Sequence, residues 1–373
     1  MSEGNGGGSA AGTNVSSDTA GNGAGARGLA RLNLVGAIRH GDIVGSILLT
    51  MAVMAIIVVA FGGNPWTVAR TIISNSLGQE IFLGQTIMTA AILTLTGLAA
   101  AIPFTARLWN IGGEGQMFAG AVVAVTLGIM LPEGTSHGLF VLILIAGAAS
   151  GGAVWGSVPG LLKAYFGINE IVTSLMLNFL AFFAANYVVT VAWPEIYAQL
   201  QSREIHDNAR FPDFWASAKV DVSVFVALAT AVAAWLLITR TSLGFSIRSI
   251  GANPRAARLA GVRTRLVTVS SFATAGAAGG LAGAVTVGGI HHDLALDLWI
   301  SNYGYVGIAV ALLARLNPMA VLPAAFIFST LRVGSNSLQA AAGISSSFGE
   351  VLIATFVIML MVTGAIKFRY AQH

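Results

Sequence analysis

The chain has 373 residues, of which 55% are hydrophobic and only 9% are charged, and its mean hydropathy is +0.79. A soluble domain carries about 25% charged residues, so a water-soluble protein is excluded. The net charge of +4 does not indicate nucleic-acid binding, because the basic residues sort by membrane side. The absence of cysteine excludes disulfides and cysteine-ligated metals.

Residues 1–40 are predicted to form a cytoplasmic tail, whose Gly/Ser-rich composition predicts disorder. Residues 41–368 form the predicted transmembrane domain. Its apolar runs are long and continuous rather than alternating, which predicts an all-α polytopic membrane protein with about ten transmembrane helices. The predicted spans are 43–61, 85–103, 114–131, 139–162, 171–193, 222–239, 266–288, 302–315, 318–333 and 350–366. A second interpretation of 302–333 is one span plus a re-entrant hairpin broken at Asn317-Pro318.

Charge sets the predicted orientation. Ten spans place both termini on one side, and a cytoplasmic N- and C-terminus puts 14 of the 19 lysines and arginines inside. The acid-rich loop 194–221 is then extracytoplasmic, and the arginine-rich loop 240–265 is cytoplasmic.

Glycines recur every four residues in the fourth and seventh predicted spans, a spacing that lets helices approach closely. Packing within one bundle and packing between subunits both explain it. The glycines are Gly147, Gly151, Gly152, Gly156 and Gly160 in one span and Gly276, Gly279, Gly280 and Gly283 in the other.

Sequence motifs for catalysis are absent. There is no phosphate-binding GxxxxGK[ST] and no HExxH, so no enzyme activity, metal or cofactor is expected. His291-His292-Asp293 is expected to be a solvated loop. The polar groups near membrane depth are more informative, because a charge at mid-helix costs about 2.5–3.5 kcal/mol and requires a reason.

The first polar segment is WNIGGEGQ, Trp109–Gln116. Its glycines predict a half-helix starting near Gly112, with Glu114 in the first turn beside a translocation path. The alternative is that Glu114 only caps that helix.

The second segment starts at Asn169, a predicted N-cap, and Glu170 in the first turn favours the helix dipole. Asn178 lies two turns deeper and needs either an inter-helix hydrogen bond or a hydrated pore. The candidate substrate pathway is Trp109, Asn110, Glu114, Gln116, Asn178 and Phe179, with the two aromatic rings as stacking faces. Arg332 and Glu350 lie at span ends where they could pair.

Loop 240–265 contains six arginines and no acid. Asn253 is a predicted N-cap, Pro254 suits the first helical position, and Gly261 suits the C-terminal cap. Arg255 and Arg258, three residues apart, share one face. This pattern predicts a docking helix, although an ordinary basic loop is the alternative.

Three segments resemble motifs of one family. WNIGGEGQ (109–116), NEIVTSLMLN (169–178) and GANPRAARLAG (251–261) resemble motifs of permease subunits of ABC importers. The family is the branched-chain amino acid/ribose-type permease family, in its simple-sugar and nucleoside branch. The resemblance covers residues 40–368, and Trp109 stands where the family usually has Phe.

The resemblance implies a multi-pass subunit of the bacterial cytoplasmic (inner) membrane. It implies partnership with ABC ATPase subunits, an extracytoplasmic solute-binding lipoprotein, and a second permease, as a heterodimer rather than a homodimer. Asn253–Gly261 would be the coupling helix, and the partners would hydrolyse ATP. The alternative is a self-sufficient secondary transporter or channel, for which Glu114, Glu170 and Glu350 are the acids near spans.

Overall fold

The computed structural model describes residues 51–196, 200–296, 298–336, 338 and 348–370. The predicted tail, and the part of the predicted span 43–61 that precedes residue 51, lie outside the described residues. The described chain is mostly helical. Its helices are α1 (Met51–Ala60), α2 (Pro65–Leu77), α3 (Glu80–Thr105), α4 (Gly113–Met130), α5 (His137–Phe166), α6 (Glu170–Tyr187), α7 (Ser223–Arg240), α8 (Ser242–Ala252), α9 (Pro254–Leu259), α10 (Thr264–Ala284), α11 (Leu298–Ser301), α12 (Tyr303–Leu313), α13 (Pro318–Ser335) and α14 (Phe348–Tyr370).

Two helices continue as π-helical turns, α6 through Val188–Ala192 and α10 through Val285–His291. The loop between α6 and α7 contains two short strands, β1 (Asp213–Trp215) and β2 (Val220–Asp221), which pair antiparallel.

Seven helices within the described residues are long and apolar enough to cross a membrane: α3, α4, α5, α7 and α13, and α6 and α10 with their π turns. The number rises to eight if α1 and α2, which meet at a bend of 109°, form one span. A mostly helical architecture with several candidate membrane spans is therefore confirmed, with one two-stranded sheet in a loop. The predicted number of about ten spans exceeds what these helices provide.

The helix α12 accounts for part of the difference between the ten predicted spans and the seven or eight that the structure provides. Its 11 residues rise about 16 Å, roughly half of a 30 Å hydrocarbon layer. A break follows it, and α13 starts at Pro318 with Asn317 Oδ1 accepting the Met319 N–H at 3.1 Å. Both interpretations of 302–333, two spans or one span plus a re-entrant hairpin, place a break at Asn317-Pro318, and this break is observed.

The helix α2 was not predicted, because its residues mix polar and apolar side chains. Its start signal is nonetheless in the sequence: Asn64 Oδ1 accepts the Trp66 N–H at 2.9 Å, and Pro65 occupies the first helical position. The same Asn-Pro pair starts α9 at Asn253-Pro254 and α13 at Asn317-Pro318.

The helix α3 lies at the centre of the bundle, and 83% of its most apolar 18-residue stretch is buried. Its middle reads TAAILTLTGLAAA over 89–101, and such small side chains let neighbouring helices approach closely. The helices α4, α7, α10, α12 and α13 pack around it. A Cβ on Gly97 would lie 3.0 Å from the Val321 side chain, so glycine makes room for α13 here.

The glycine faces of α5 and α10 pack against each other within the chain. Gly152 and Gly276 are so close that a Cβ on either one would overlap the carbonyl oxygen of the other. Gly147 and Gly151 face side chains of α4 instead. Of the two explanations for the glycine spacing, the structure shows packing within one bundle.

Candidate functional site

The chain between α3 and α4 forms the predicted helix break. Pro103 near the end of α3 has no N–H, so the Ala99 carbonyl has no helical donor. The side-chain amide of Asn110 folds back and donates to that oxygen at 3.0 Å. The Gly112 N–H donates to Asn110 Oδ1 at 3.0 Å, and α4 starts at Gly113. The predicted helix start near Gly112 is therefore confirmed.

Asn110 and Gln116 form a buried amide pair. Gln116 Nε2 donates to Asn110 Oδ1, and Asn110 Nδ2 donates to Gln116 Oε1, each at 3.2 Å. Both side chains are almost fully buried. An unpaired buried amide would cost about 1–3 kcal/mol, so the reciprocal bonds hold the first turn of α4 against the break.

Asn178 on α6 binds the same break from a second helix. Its Oδ1 accepts the Gly115 N–H at 2.8 Å, and its Nδ2 donates to the Ile111 carbonyl at 2.9 Å and to the Tyr305 hydroxyl at 3.0 Å. Ser174, one turn earlier, accepts the Ile111 N–H at 3.2 Å. Of the two explanations for Asn178, inter-helix hydrogen bonding is the one observed.

Glu114 points away from these amides and towards α12. Its Oε2 accepts the N–H of Gly304, in the first turn of α12, at 2.6 Å. The side chain is 0% exposed, and its Oε1 has no hydrogen-bond partner within the described residues. Glu114 therefore caps a helix, but that helix is α12 rather than its own.

The two candidate stacking residues lie at the surface of the described chain. Trp109 is 49% exposed and packs against the Phe104 ring at 4.8 Å. Phe179 is 43% exposed and contacts the Trp299 ring at 5.7 Å. The structure thus gathers the candidate amides around one helix break. The half-exposed rings of Trp109 and Phe179 belong to the residues next to Asn110 and Asn178 in the chain.

Three contributors to this site were not predicted. Tyr305 and Gly304 belong to a Tyr-Gly-Tyr triplet at the start of a short apolar segment, and a hydroxyl beside a glycine there was a usable signal. Pro103 was also informative, because its missing N–H leaves the carbonyl four residues earlier in need of another donor.

Loop 240–265 folds into two helices, α8 and α9, where one was predicted. The predicted caps of α9 are confirmed. Asn253 Oδ1 accepts the N–H groups of Arg255 and Ala256 at 3.0 and 3.1 Å, and Gly261 has φ +82°, a left-handed conformation that favours glycine.

The helix α9 is held by one buried residue and presents the rest outward. Ala257 packs into the hydrophobic core, whereas Arg255 and Arg258 are exposed. Leu259 is 91% exposed. An exposed leucine beside exposed arginines is a composition found at surfaces that bind another protein.

Arginine and aromatic side chains pair at both ends of this loop. The Arg240 guanidinium lies 5.8 Å from the Trp235 ring centre, and Arg265 lies 5.5 Å from the Tyr165 ring centre. Trp and Tyr are enriched at membrane–water interfaces, and here each binds an arginine where a candidate span meets the loop.

Loop 194–221 carries a polar cluster of its own. Arg210 contacts Glu204 at 2.6 Å and Asp207 at 3.2 Å. Burial raises the pKa of the Asp221 carboxyl, and burial lowers the pKa of the nearby His292 imidazole. Within the described residues, no group of three or more His, Asp or Glu side chains could hold a metal ion.

A membrane bundle whose helices break around buried polar groups is typical of transporters. The chain belongs to the family described as branched-chain amino acid transport system / permease component, whose model matches residues 82–364. The resemblance inferred from the three motifs is therefore confirmed.

Similar proteins are permeases of ABC transporters. The guanosine ABC transporter permease protein NupP of Bacillus subtilis is 31% identical over 328 residues, which cover 87% of this chain and 93% of that protein. The glucose ABC transporter permease protein TsgB13 of Haloferax volcanii is 30% identical over 352 residues, or 89% and 90%. The guanosine ABC transporter permease protein NupQ of Bacillus subtilis is 26% identical over 260 residues, or 67% and 80%. No solved structure matches the chain significantly.

Proposed function

We propose that this chain is the transmembrane permease subunit of an ATP-driven importer for nucleosides or simple sugars. Its family membership and its similarity to permeases named for guanosine and glucose support this function. The coupling role is supported mainly by α9, because this capped helix exposes Arg255 and Arg258 from a loop without acidic residues. ATP hydrolysis belongs to partner ABC ATPase subunits.

In the proposed topology, both termini and α8–α9 face the cytoplasm across a bacterial cytoplasmic membrane. The seven full-length spans, together with α1–α2, α12 and α14, make ten membrane-embedded elements. Loop 194–221 then faces outward, where an extracytoplasmic solute-binding lipoprotein delivers the substrate.

The proposed assembly contains a second permease subunit. NupP and NupQ are both named guanosine permease proteins, come from one organism, and are both similar to this chain. That relationship supports a heterodimer of two unequal permeases rather than a homodimer.

The proposed pathway runs beside the break that precedes α4. Asn110, Gln116 and Asn178 are engaged with each other or with the backbone, so this conformation corresponds to a closed pathway at their level. Trp109 and Phe179 offer half-exposed rings on which a base or sugar can stack. ATP-driven movement of α9 would exchange the buried polar contacts and open the path.

A self-sufficient secondary transporter is less well supported, because it needs carboxylates free to bind an ion. Glu114 binds the backbone of α12, Glu170 contacts Lys163 at 2.7 Å, and Glu350 contacts Arg332 at 3.8 Å. Each of these three acids therefore has a structural role.

The coupling role is tested by Arg255→Glu combined with Arg258→Glu in the reconstituted transporter. We expect ATPase stimulation by substrate to fall about tenfold, which corresponds to about 1.4 kcal/mol, because charge reversal can place like charges against each other at the interface. The matched control is Arg248→Glu with Arg263→Glu, the same charge change at two exposed positions of the same loop but outside α9. Full stimulation in the α9 double variant, with normal membrane insertion, would contradict the docking role.

A further inference from the structure

Three consecutive residues at the start of α12 are each contacted by a different helix. The Tyr303 ring lies 4.8 Å from the guanidinium carbon of Arg332 on α13. The Gly304 N–H donates to Glu114 on α4, and the Tyr305 hydroxyl accepts from Asn178 on α6. The first turn of this short helix is therefore the point where three neighbouring helices converge.

At this point the N-terminal ends of α4 and α12 meet. A Cβ on Gly304 would overlap the backbone nitrogen of Glu114, whereas a Cβ on Gly113 would lie 3.5 Å from Gly304, an ordinary contact. The contact is thus asymmetric: it depends on glycine at Gly304 but tolerates a methyl group at Gly113.

The electrostatics of this contact favour a negatively charged group. Each helix N-terminus carries a partial positive charge, so two that meet in a buried place repel each other. Asn302, the residue before α12, makes no side-chain capping hydrogen bond. The Glu114 carboxylate supplies the missing cap, lying in the first turn of α4 while it binds the first turn of α12.

We propose that Glu114 is a positioning residue for transport, and that its carboxylate holds the starts of α4 and α12 together in the closed pathway. The pathway then opens by separating Glu114 from Gly304, which exposes the carboxylate to water. The second carboxylate oxygen has no hydrogen-bond partner within the described residues, so hydration favours the separated state. This proposal rests on the proposed transport function.

Cysteine labelling tests the contact directly, because the chain has no cysteine of its own. Ser174→Cys places one thiol at a buried position that contacts Ile111 in the break. In membranes that contain the full transporter without substrate or ATP, a charged methanethiosulfonate reagent labels this thiol only when water enters the break.

Glu114→Gln is the informative variant, because it keeps the side-chain length and an oxygen for the Gly304 N–H but removes the charge. We expect it to raise the labelling rate of Ser174→Cys about tenfold, as expected for losing a buried charge at a helix start. Gly304→Ala should raise the rate similarly by forcing the helices apart. Gly113→Ala is the matched control and should label at the parent rate.

Equal labelling of the parent, Glu114→Gln and Gly304→Ala, each folded as judged by its thermal midpoint, would overturn the proposal. If Glu114→Gln does not accumulate in membranes, the difference between Gly304→Ala and Gly113→Ala decides the question alone. A merely structural role of Glu114 would lower the thermal midpoint without changing labelling of the folded protein.

Labelling requires no transport, so the two proposals fail in different ways. If labelling is unchanged in the variants and the parent shows ATP-driven uptake, the role of Glu114 is contradicted and the importer function stands. If labelling increases in the variants but the parent shows no ATP-driven uptake, the importer function is contradicted and the role of the helix contact stands.

Discussion

Asn178 Oδ1 accepts the backbone N–H of Gly115 at 2.8 Å, which joins α6 to the first turn of α4. A Cβ on Gly115 would lie 2.8 Å from the same oxygen, so this bond depends on glycine at that position. The same Asn178 side chain also donates to the Ile111 carbonyl and the Tyr305 hydroxyl. One buried amide thus connects the helix break, α6 and α12.

Asn178→Ala should therefore destabilise the folded protein by about 2–4 kcal/mol. The variant leaves the Gly115 N–H and the Ile111 carbonyl buried without partners, each costing about 1–3 kcal/mol, although bonds inside membranes average less. Unfolding of the purified protein in a mixed detergent series measures this. Asn186→Ala, at a half-buried position two turns further along α6, is the control. Equal unfolding midpoints for the two variants would count against this account.

The contact between α5 and α10 gives a second test. Gly152→Ala places a methyl group against the Gly276 carbonyl oxygen, and overpacking of this kind costs about 1–3 kcal/mol. Gly138→Ala, in the first turn of the same helix, meets nothing within 4 Å and should be neutral or stabilising. Thermal unfolding midpoints compare the two, and a similar shift for both would show that the helices separate more easily than the structure implies.

Local signals predicted the helix ends well. The N-cap Asn253 and the left-handed Gly261 were predicted because capping depends on a few neighbouring residues. The same holds for the start of α4 near Gly112 and for Asn169, whose Oδ1 accepts the Ile171 N–H at 2.9 Å.

Long-range partners were not predictable in the same way. The sequence indicates that Glu114 and Asn178 need partners, but Gly304 and Tyr305 lie 190 and 127 residues away along the chain. Hydropathy likewise finds continuous apolar runs but does not find α2, because the residues of α2 mix polar and apolar side chains.

The cap of α9 leads to a third prediction. Asn253→Ala removes two capping hydrogen bonds and should destabilise α9 by about 1 kcal/mol, which lowers ATPase stimulation by substrate without abolishing it. Asn317→Ala removes a similar cap from α13, outside the docking loop. We expect this control to lower thermal stability comparably and to leave ATPase stimulation intact. The same loss of stimulation in both variants would contradict a specific role for α9.

The pH dependence of loop 194–221 should follow His292. Burial lowers the pKa of this imidazole, and the positive charge of Arg210 lowers it further, while Glu204 and Asp213 act in the opposite direction. Because the pKa in the folded state lies below the ordinary 6.5, the unfolded chain binds more protons as the pH falls through this value. The stability contribution is therefore complete above about pH 6.5 and is lost on acidification.

His292→Asn should remove this acid sensitivity. Asparagine does not titrate, and it tolerates the left-handed backbone that His292 adopts at φ +62°. Limited proteolysis of loop 194–221 from about pH 8 to pH 5 measures the effect. The control is His137→Asn, at an exposed position at the start of α5, which should keep the acid sensitivity of the parent. Equal acid sensitivity in the His292 variant and the parent would assign the effect to other groups.

The proposed orientation has a direct test in single-cysteine labelling of intact cells. Ser249 on α8 is partly exposed, and Ser217 is exposed in loop 194–221, so both can present a thiol to solvent. Ser202 in the same loop is buried and accepts the Leu294 N–H, which makes it unsuitable. An impermeant maleimide should label Ser217→Cys from outside and should label Ser249→Cys only after the membrane is opened. Labelling of Ser249→Cys from outside would place α9 on the side without ATP, where it could not receive force from an ATPase.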